Sequence, residues 1–327
     1  MYKIGNVEIT GKVVLAPMAG ITSYAYRVFM APFGVSLTVT EMISDCGIIY
    51  NNEETLNYLP QKGDPRPIAL QLFGGESETL VKAIQKIEAM PNVDYDILDL
   101  NLGCPVPKVT KNNGGSAWLK DEERLLEMLR AVVKASTKPV SVKIRIGWDD
   151  SSINFKQLMP KIEQTGVKMI AVHLRTTKQL YGGKARYDLG ENLRELIQVP
   201  LVISGDIFTL DDAIKALEIT KADGVMVARG SMGNPHLIKQ IDHYYRTGEK
   251  LPPVTLHDQI NYLREFARLL VLEKGEKTAI SNLRGIASHF LSGFAHTKQY
   301  RIKISQTMTT LDDLNQILDE IHDSHLF

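Results

Sequence analysis

A (β/α)8 barrel followed by a small all-α C-terminal helical bundle is the fold that this 327-residue sequence predicts. Three observations carry it. Eight short apolar, β-branched runs recur up to about residue 230, amphipathic helical patterns lie between them, and beyond residue 247 only helical patterns remain. The length agrees, because one barrel takes about 250 residues and leaves room for a small appendage.

The runs are 13–16, 37–40, 68–72, 97–100, 140–144, 169–172, 201–203 and 224–227. Each is too short, and too apolar on both faces, for an antiparallel edge; buried parallel strands read this way. Residues 76–90 place Leu80, Ala83, Ile84 and Ile87 on one helical face, and residues 121–135 do the same with Leu125, Leu129, Val132 and Val133. The runs start 23 to 43 residues apart, the length of a strand–helix–strand unit. An open, doubly wound sheet is the alternative. The units share no sequence similarity, so the repeat is architectural.

The pattern changes at Thr247-Gly248-Glu249-Lys250-Leu251-Pro252-Pro253, where paired prolines break helix and sheet alike. The expected organisation is a barrel over 1–247, a linker over 248–254 and a helical domain over 255–327. Thr255-x-x-Asp258 and Thr310-x-x-Asp313 are capping-box starts before apolar helical faces, with further helices over 280–290 and around 300–304.

Lys and Arg number 38, as do Asp and Glu, so the net charge is zero. That excludes a globally basic nucleic-acid coat but permits a local basic patch. Such a patch is visible: from Lys277 to Leu311 there is no acid, while Lys277, Arg284, Lys298, Arg301 and Lys303 are cationic. The stretch reads either as a phosphate-tracking surface or as a solvated face balanced by acids elsewhere in space. Cys46 and Cys104 cannot make a disulfide framework or a paired zinc site, and no metal is expected. No signal-like or membrane-spanning stretch is present, so a cytoplasmic enzyme is expected.

Barrel enzymes work at the C-terminal ends of their strands. Those ends read Ala16-Pro17-Met18-Ala19-Gly20, Glu41-Met42, Gln71, Asp99-Leu100-Asn101-Leu102-Gly103-Cys104-Pro105, Lys143-Ile144-Arg145, His173-Leu174-Arg175, Ser204-Gly205-Asp206 and Ala228-Arg229-Gly230. Stability does not ask a buried strand to end in Gln, Lys or His, and six strands doing so at one end make a site. The glycine turns after strands seven and eight suit a phosphate, with Arg229 adding charge and Gly230 and Gly233 leading into a helix over 235–245 whose dipole would assist. Gln71, Lys143 and His173 could hold the polar edge of a flat heterocycle. A phosphate plus a flat ring points to FMN; pyridoxal phosphate on a strand-end lysine is the rival. Cys104, between Gly and Pro on a loop above the site, could act as nucleophile or general acid. Cys46 reads as an ordinary small side chain.

Ala-Pro-Met-Ala-Gly at 16–20, Leu-Asn-Leu-Gly-Cys-Pro at 100–105, Lys-Ile-Arg at 143–145, His-x-Arg at 173–175, Gly-Asp-Ile at 205–207 and Arg229 together resemble the tRNA-dihydrouridine synthases, above all the bacterial B-type members. The resemblance covers essentially the whole chain. It implies reduction of the C5–C6 double bond of uridines in the tRNA D-loop, with NADPH first reducing bound FMN. It further implies hydride transfer from flavin N5 to uracil C6 and protonation of C5 by Cys104. Pro17, Met18 and Ala19 would line the isoalloxazine, Gln71, Lys143 and His173 hold its edges, and Ser204, Gly205, Asp206, Ala228 and Arg229 hold its phosphate. Asn101, Arg145 and Tyr181 would bind the uracil, which must be flipped out of its stack, and the helical domain with Lys108 and Lys111 would grip phosphates. A monomer is implied.

Three positions depart from the family pattern. Ser204 stands where Asn is common, Ala228 where Gly is common, and Leu174 where Gly is common between His173 and Arg175. Two other readings compete: a small-molecule FMN oxidoreductase of the dihydroorotate dehydrogenase kind, and a non-catalytic tRNA-binding chaperone.

Overall fold

A computed structural model describes residues 1–324; residues 325–327, which the expected helical domain includes, lie outside the described residues. The strands are β1 (Tyr2–Ile4), β2 (Val7–Ile9), β3 (Val13–Leu15), β4 (Leu37–Val39), β5 (Ile43–Ser44), β6 (Ile68–Phe73), β7 (Ile97–Leu102), β8 (Val140–Arg145), β9 (Met169–His173), β10 (Leu201–Ser204) and β11 (Gly224–Val227). All eight predicted strands form, as β3, β4 and β6 to β11. They run parallel in chain order, and the pairing of β4 with β6 and of β11 with β3 closes them into a barrel. Closure removes the open-sheet alternative. β5 is a two-residue addition on β6.

The antiparallel hairpin β1–β2 was not expected from the sequence. Its Ile4 and Ile9 are fully buried against Val14, Leu37, Ile97 and Met169, so it plugs the N-terminal end of the barrel. Three-residue strands carry too little alternation to be read as β.

Alternation inside the barrel builds the site. Side chains on a strand change face at each residue. In β8, Val140, Val142 and Ile144 therefore pack outward against the helices, while Ser141, Lys143 and Arg145 form the inward row. β7 turns Leu98, Leu100 and Leu102 outward and keeps Ile97, Asp99 and Asn101 on the other row. Register aligns these rows: Gln71 pairs with Asp99, Asn101 with Lys143 and Arg145 with His173. The barrel interior is thus apolar at its base and polar at its C-terminal mouth.

The C-terminal helices are Leu256–Lys274, Glu276–Phe290, Lys298–Gln306 and Leu311–Ser324. Both capping boxes are present: Thr255 and Asp258 bond reciprocally, as do Thr310 and Asp313. An aromatic cluster joins helices and barrel. Phe29 of helix Tyr24–Met30 lies 5.4 Å from Phe266 and 6.0 Å from Phe290, and Tyr26 meets Phe266 edge-on at 5.5 Å. Such pairs add about 0.5–1.5 kcal/mol each beyond their area burial. Glu273 adds a polar clamp, accepting from Ser23 Oγ at 2.8 Å and Ala25 N at 2.9 Å. Among the described residues, no helix is long and apolar enough to cross a membrane.

Candidate active site

A cavity of about 310 Å³ opens at the mouth of the barrel. Pro17, Met18, Ala19, Gln71, Asn101, Cys104, Lys143, Arg145, His173, Tyr181, Ala228 and Arg229 all line it. Ser204, Gly205 and Asp206 line a small adjoining cavity of about 30 Å³, which shares His173, Ala228 and Arg229 with the first. The residues expected to carry catalysis, the cofactor and the uracil therefore meet in two adjoining cavities, while Lys108 and Lys111 line neither. Val106 and Met232 in the larger cavity and Phe208 in the smaller carry no sequence signal of a site, and Met42 stands out only as a strand-end residue. Apolar loop residues carry no signal that separates them from packing.

One hydrogen-bond chain runs along the polar rows. Asp99, fully inside the barrel, accepts from Gln71 Nε2 at 2.7 Å and from Ser141 Oγ. Gln71 Oε1 accepts from Asn101 Nδ2 at 2.9 Å, and Asn101 Oδ1 accepts from Cys104 N at 2.8 Å and Gly103 N at 3.2 Å. Burial raises the Asp99 pKa against the lowering by Gln71, Ser141 and Lys143. Asp99 fixes which way the Gln71 amide faces, and Gln71 fixes Asn101. Asp99 was visible in the sequence as a strand-end acid without a role.

The Cys104 loop is held from both sides. Its carbonyl accepts from Ser116 N at 3.1 Å and Ser116 Oγ at 2.9 Å. Arg145, 1% exposed, donates Nε to Gly103 O at 2.8 Å and Nη1 to Thr176 O and Leu180 O at 2.7 Å. Arg145 thus braces two loops, leaving Nη2 as its donor without a partner among the described residues. Both cysteines are free, Cys46 exposed and Cys104 half-buried. Burial pushes the Cys104 thiol above its ordinary pKa, outweighing the Val106 backbone bond and the cations Arg145 and Lys143. The thiol therefore holds its proton at neutral pH, which suits an acid better than a nucleophile.

Lys143 is pushed the other way, down to about 8, by burial and by Arg145. Burial, with Lys143, Arg145, Arg175 and Arg229 around it, holds His173 well below the usual imidazole range, so the ring is neutral. Arg175 Nη1 lies 3.3 Å from His173 Nε2. A guanidinium only donates, so Nε2 accepts and the ring proton sits on Nδ1.

Arg175 is buried and ties three loops together. It donates to Gly182 O at 3.1 Å, to Gly183 O at 2.8 Å and to both Asp206 oxygens at 2.8 and 2.7 Å. Asp206 also accepts from Ala185 N and Arg229. These bonds outweigh burial and lower its pKa. Its carboxylate is consumed within the protein, so the backbone is what it offers to an anion. Gly205 has φ +124°, and a Cβ there would lie 2.8 Å from Ala185 Cβ and 3.2 Å from His173 Cδ2. Only glycine fits that turn.

Two local expectations change. Helix Pro235–Thr247 contributes no residue to either cavity. A Cβ on Gly233 would lie 2.4 Å from Phe290 N, so this turn packs on the C-terminal helices; the short helix Arg229–Ser231 stands at the small cavity instead. The stretch 277–311, acid-free in sequence, is not free of acids in space, because Lys303 pairs with Glu320 at 2.8 Å; Arg284 is committed to a backbone carbonyl, donating to Met308 O at 2.9 and 2.6 Å. Leu174, unexplained by the sequence, is fully buried in the outer core.

Fold and cavity define a barrel enzyme with a glycine turn and a ring of donors at its mouth. The dihydrouridine synthase family profile matches residues 14–325. The chain is 36% identical over 302 residues to a "Probable tRNA-dihydrouridine synthase" of Rickettsia bellii, covering 92% of each chain. It is 33% identical over 312 residues to "tRNA-dihydrouridine synthase B" of Pseudomonas aeruginosa, covering 95% of this chain and 92% of that one. Among solved structures, the old yellow enzyme homologue of Zymomonas mobilis (TM-score 0.53, 12% identity, 77% and 93% covered) and histamine dehydrogenase of Rhizobium sp. 4-9 (TM-score 0.54, 12% identity, 99% and 64% covered) share the fold. The chain belongs to the dihydrouridine synthase family.

Proposed function

We propose that this protein reduces the C5–C6 double bond of uridine in the D-loop of tRNA, drawing electrons from NADPH through bound FMN. The observation that carries it is the shared cavity in which the Cys104 thiol, its pKa raised by burial, lies with Gln71, Lys143 and His173. The names of its relatives support tRNA as substrate, and family membership weighs against pyridoxal phosphate, a dihydroorotate-type substrate and a purely binding role.

The residues fit a flavin mononucleotide. The Gly205 turn lies at the smaller cavity with Ser204, Ala228 and Arg229 beside it, and these residues would hold the phosphate. Lys143, His173 Nδ1 and the Gln71 amide are donors for the polar ring edges, and Pro17, Met18 and Ala19 give an apolar wall. When bound and reduced, the flavin supplies a hydride to uracil C6. Arg145 Nη2 and Asn101 then face the negative charge that builds on the uracil carbonyls, Tyr181 offers a ring to the flipped base, and Cys104 gives its proton to C5. Arg175 and Asp206 position the loops around His173.

The barrel, residues 1–247, is the catalytic domain in this account, and the helices from 255 are the RNA-gripping domain, on a cytoplasmic monomer. Purified protein should be yellow, release FMN on denaturation and convert uridine to dihydrouridine in tRNA. Mass spectrometry of tRNA from cells lacking the protein should show D-loop uridine in place of dihydrouridine. Protein that cannot be loaded with FMN contradicts the proposal.

A further inference from the structure

Neighbouring residues of one loop open onto two different cavities. Met42 lines the catalytic one, and Glu41 lines a second, larger one of about 460 Å³ at the seam between barrel and C-terminal helices. That volume lies within the range of about 300–1,000 Å³ that ligand pockets occupy and far exceeds the need of a structural water. Tyr24, Glu54 and Tyr58 line it from the barrel, and Lys274 and Thr278 from the helices.

Glu41 is the telling group. It is 4% exposed. Its Oε2 accepts the Gly20 N–H, but Oε1 is buried with no partner. A buried acceptor left unpaired costs about 1–3 kcal/mol, so this carboxyl is built to receive a donor that the protein itself does not supply. Among the described residues, the Lys274 ammonium and the Tyr24 and Tyr58 hydroxyls make no hydrogen bond either. The cavity therefore offers an acceptor, a cationic donor and two aromatic rings, all uncommitted.

We propose that this cavity receives a guanine base of the same RNA whose uridine enters the catalytic cavity; the inference rests on the tRNA reading above. Guanine alone among the bases presents N1–H and N2–H2 side by side, the donors a carboxylate takes, with O6 and N7 opposite as acceptors for a lysine. Adenine and cytosine put an unprotonated ring nitrogen beside the amino group, and uracil puts its single N–H between two carbonyls. Unstacked loop bases are read on these edges and stacked on aromatic rings. Glu41 and Glu54 oppose a phosphate in the same space. Because Glu41 also holds Gly20, beside the wall formed by Pro17, Met18 and Ala19, an occupant would sit one residue from the flavin-facing loop.

The test titrates the holoenzyme with GMP, AMP, CMP and UMP, followed by calorimetry. GMP should bind at least tenfold tighter than AMP, the discrimination of one good bidentate pair. Lys274→Ala, which removes the O6/N7 donor, and Thr278→Trp, which fills the cavity, should each weaken GMP binding about tenfold. With tRNA, both should raise KM about tenfold with kcat and NADPH-driven flavin reduction held. Equal affinity for GMP and AMP overturns the proposal, as does GMP binding that neither variant alters. Lys274→Ala keeps the test alive where Thr278→Trp does not fold. Wild-type protein that fails to reduce tRNA would overturn the tRNA reading instead, and the GMP titration would remain readable by itself.

Discussion

The Asn101 side chain holds the Cys104 backbone N–H at 2.8 Å while donating to Gln71 at 2.9 Å. One amide thereby couples the loop that carries the thiol to Gln71, the residue proposed to hold the flavin edge. Asn101 is a positioning residue as well as a candidate uracil contact.

Asn101→Ala should remove both roles at once. Losing the acceptor for Gly103 and Cys104 frees the loop, and a misplacement of about 1 Å can cost ~10²-fold in rate. Flavin content should hold, dihydrouridine formation should fall by about that factor, and stability should drop by about 1–3 kcal/mol. Flavin content is read from the visible spectrum, formation by single turnover and stability by urea unfolding.

Lys143 sets a pH dependence. With a pKa near 8, it is charged below that pH and neutral above it. FMN affinity should fall as pH rises through 8, measured by flavin fluorescence. Stability has the opposite sign. The folded pKa lies below the unfolded one, so the unfolded chain binds more protons between them, and the flavin-free protein should gain stability from pH 8 towards 10.5. Lys143→Met should stabilise that form at pH 7 by about 1–3 kcal/mol, the scale of an uncompensated buried polar group, while FMN affinity falls.

Gly205→Ala should weaken FMN binding by at least tenfold. The added methyl meets Ala185 and His173 at a φ that suits glycine, so the turn proposed to hold the phosphate must shift. Gly248, also at positive φ but with nothing within 4 Å of its Cβ position, is the control and should leave flavin content unchanged when made alanine.

Much of this was readable in the chain, for a physical reason. Parallel strands buried on both faces are continuous apolar runs, and their polar ends stand out against them. Gln71, Lys143 and His173 were therefore legible as a site before any fold was known. The chain Asp99–Gln71–Asn101–Cys104 was not, because it depends on which rows face inward and on register between strands. The pairing of Arg175 with Asp206 and of Lys303 with Glu320 was hidden for the same reason: partners 31 and 17 residues apart are joined only by folding. The cavity beside Glu41 needs two distant segments to exist at all.

Those pairings change which residues can test the proposed RNA-gripping surface. Arg284 holds the Met308 carbonyl with two donors, so Arg284→Met should cost stability, about 1–3 kcal/mol. Lys277→Gln with Lys298→Gln should spare stability, lower tRNA affinity and flatten its dependence on salt by about one unit of slope per lost phosphate contact. Filter binding across a salt series measures it, and unchanged affinity would make the stretch a solvated face.

We propose that Cys104 gives uracil C5 its proton, and Cys104→Ala is the variant that decides it. Flavin content, NADPH oxidation and tRNA affinity should stay at wild-type level, because none of them needs the proton. Single-turnover dihydrouridine formation should fall by about 10²–10⁴-fold, the contribution of a positioned general acid, and Cys46→Ala should cost little. Dihydrouridine formation by Cys104→Ala at the wild-type rate would contradict the claim and leave the thiol as packing.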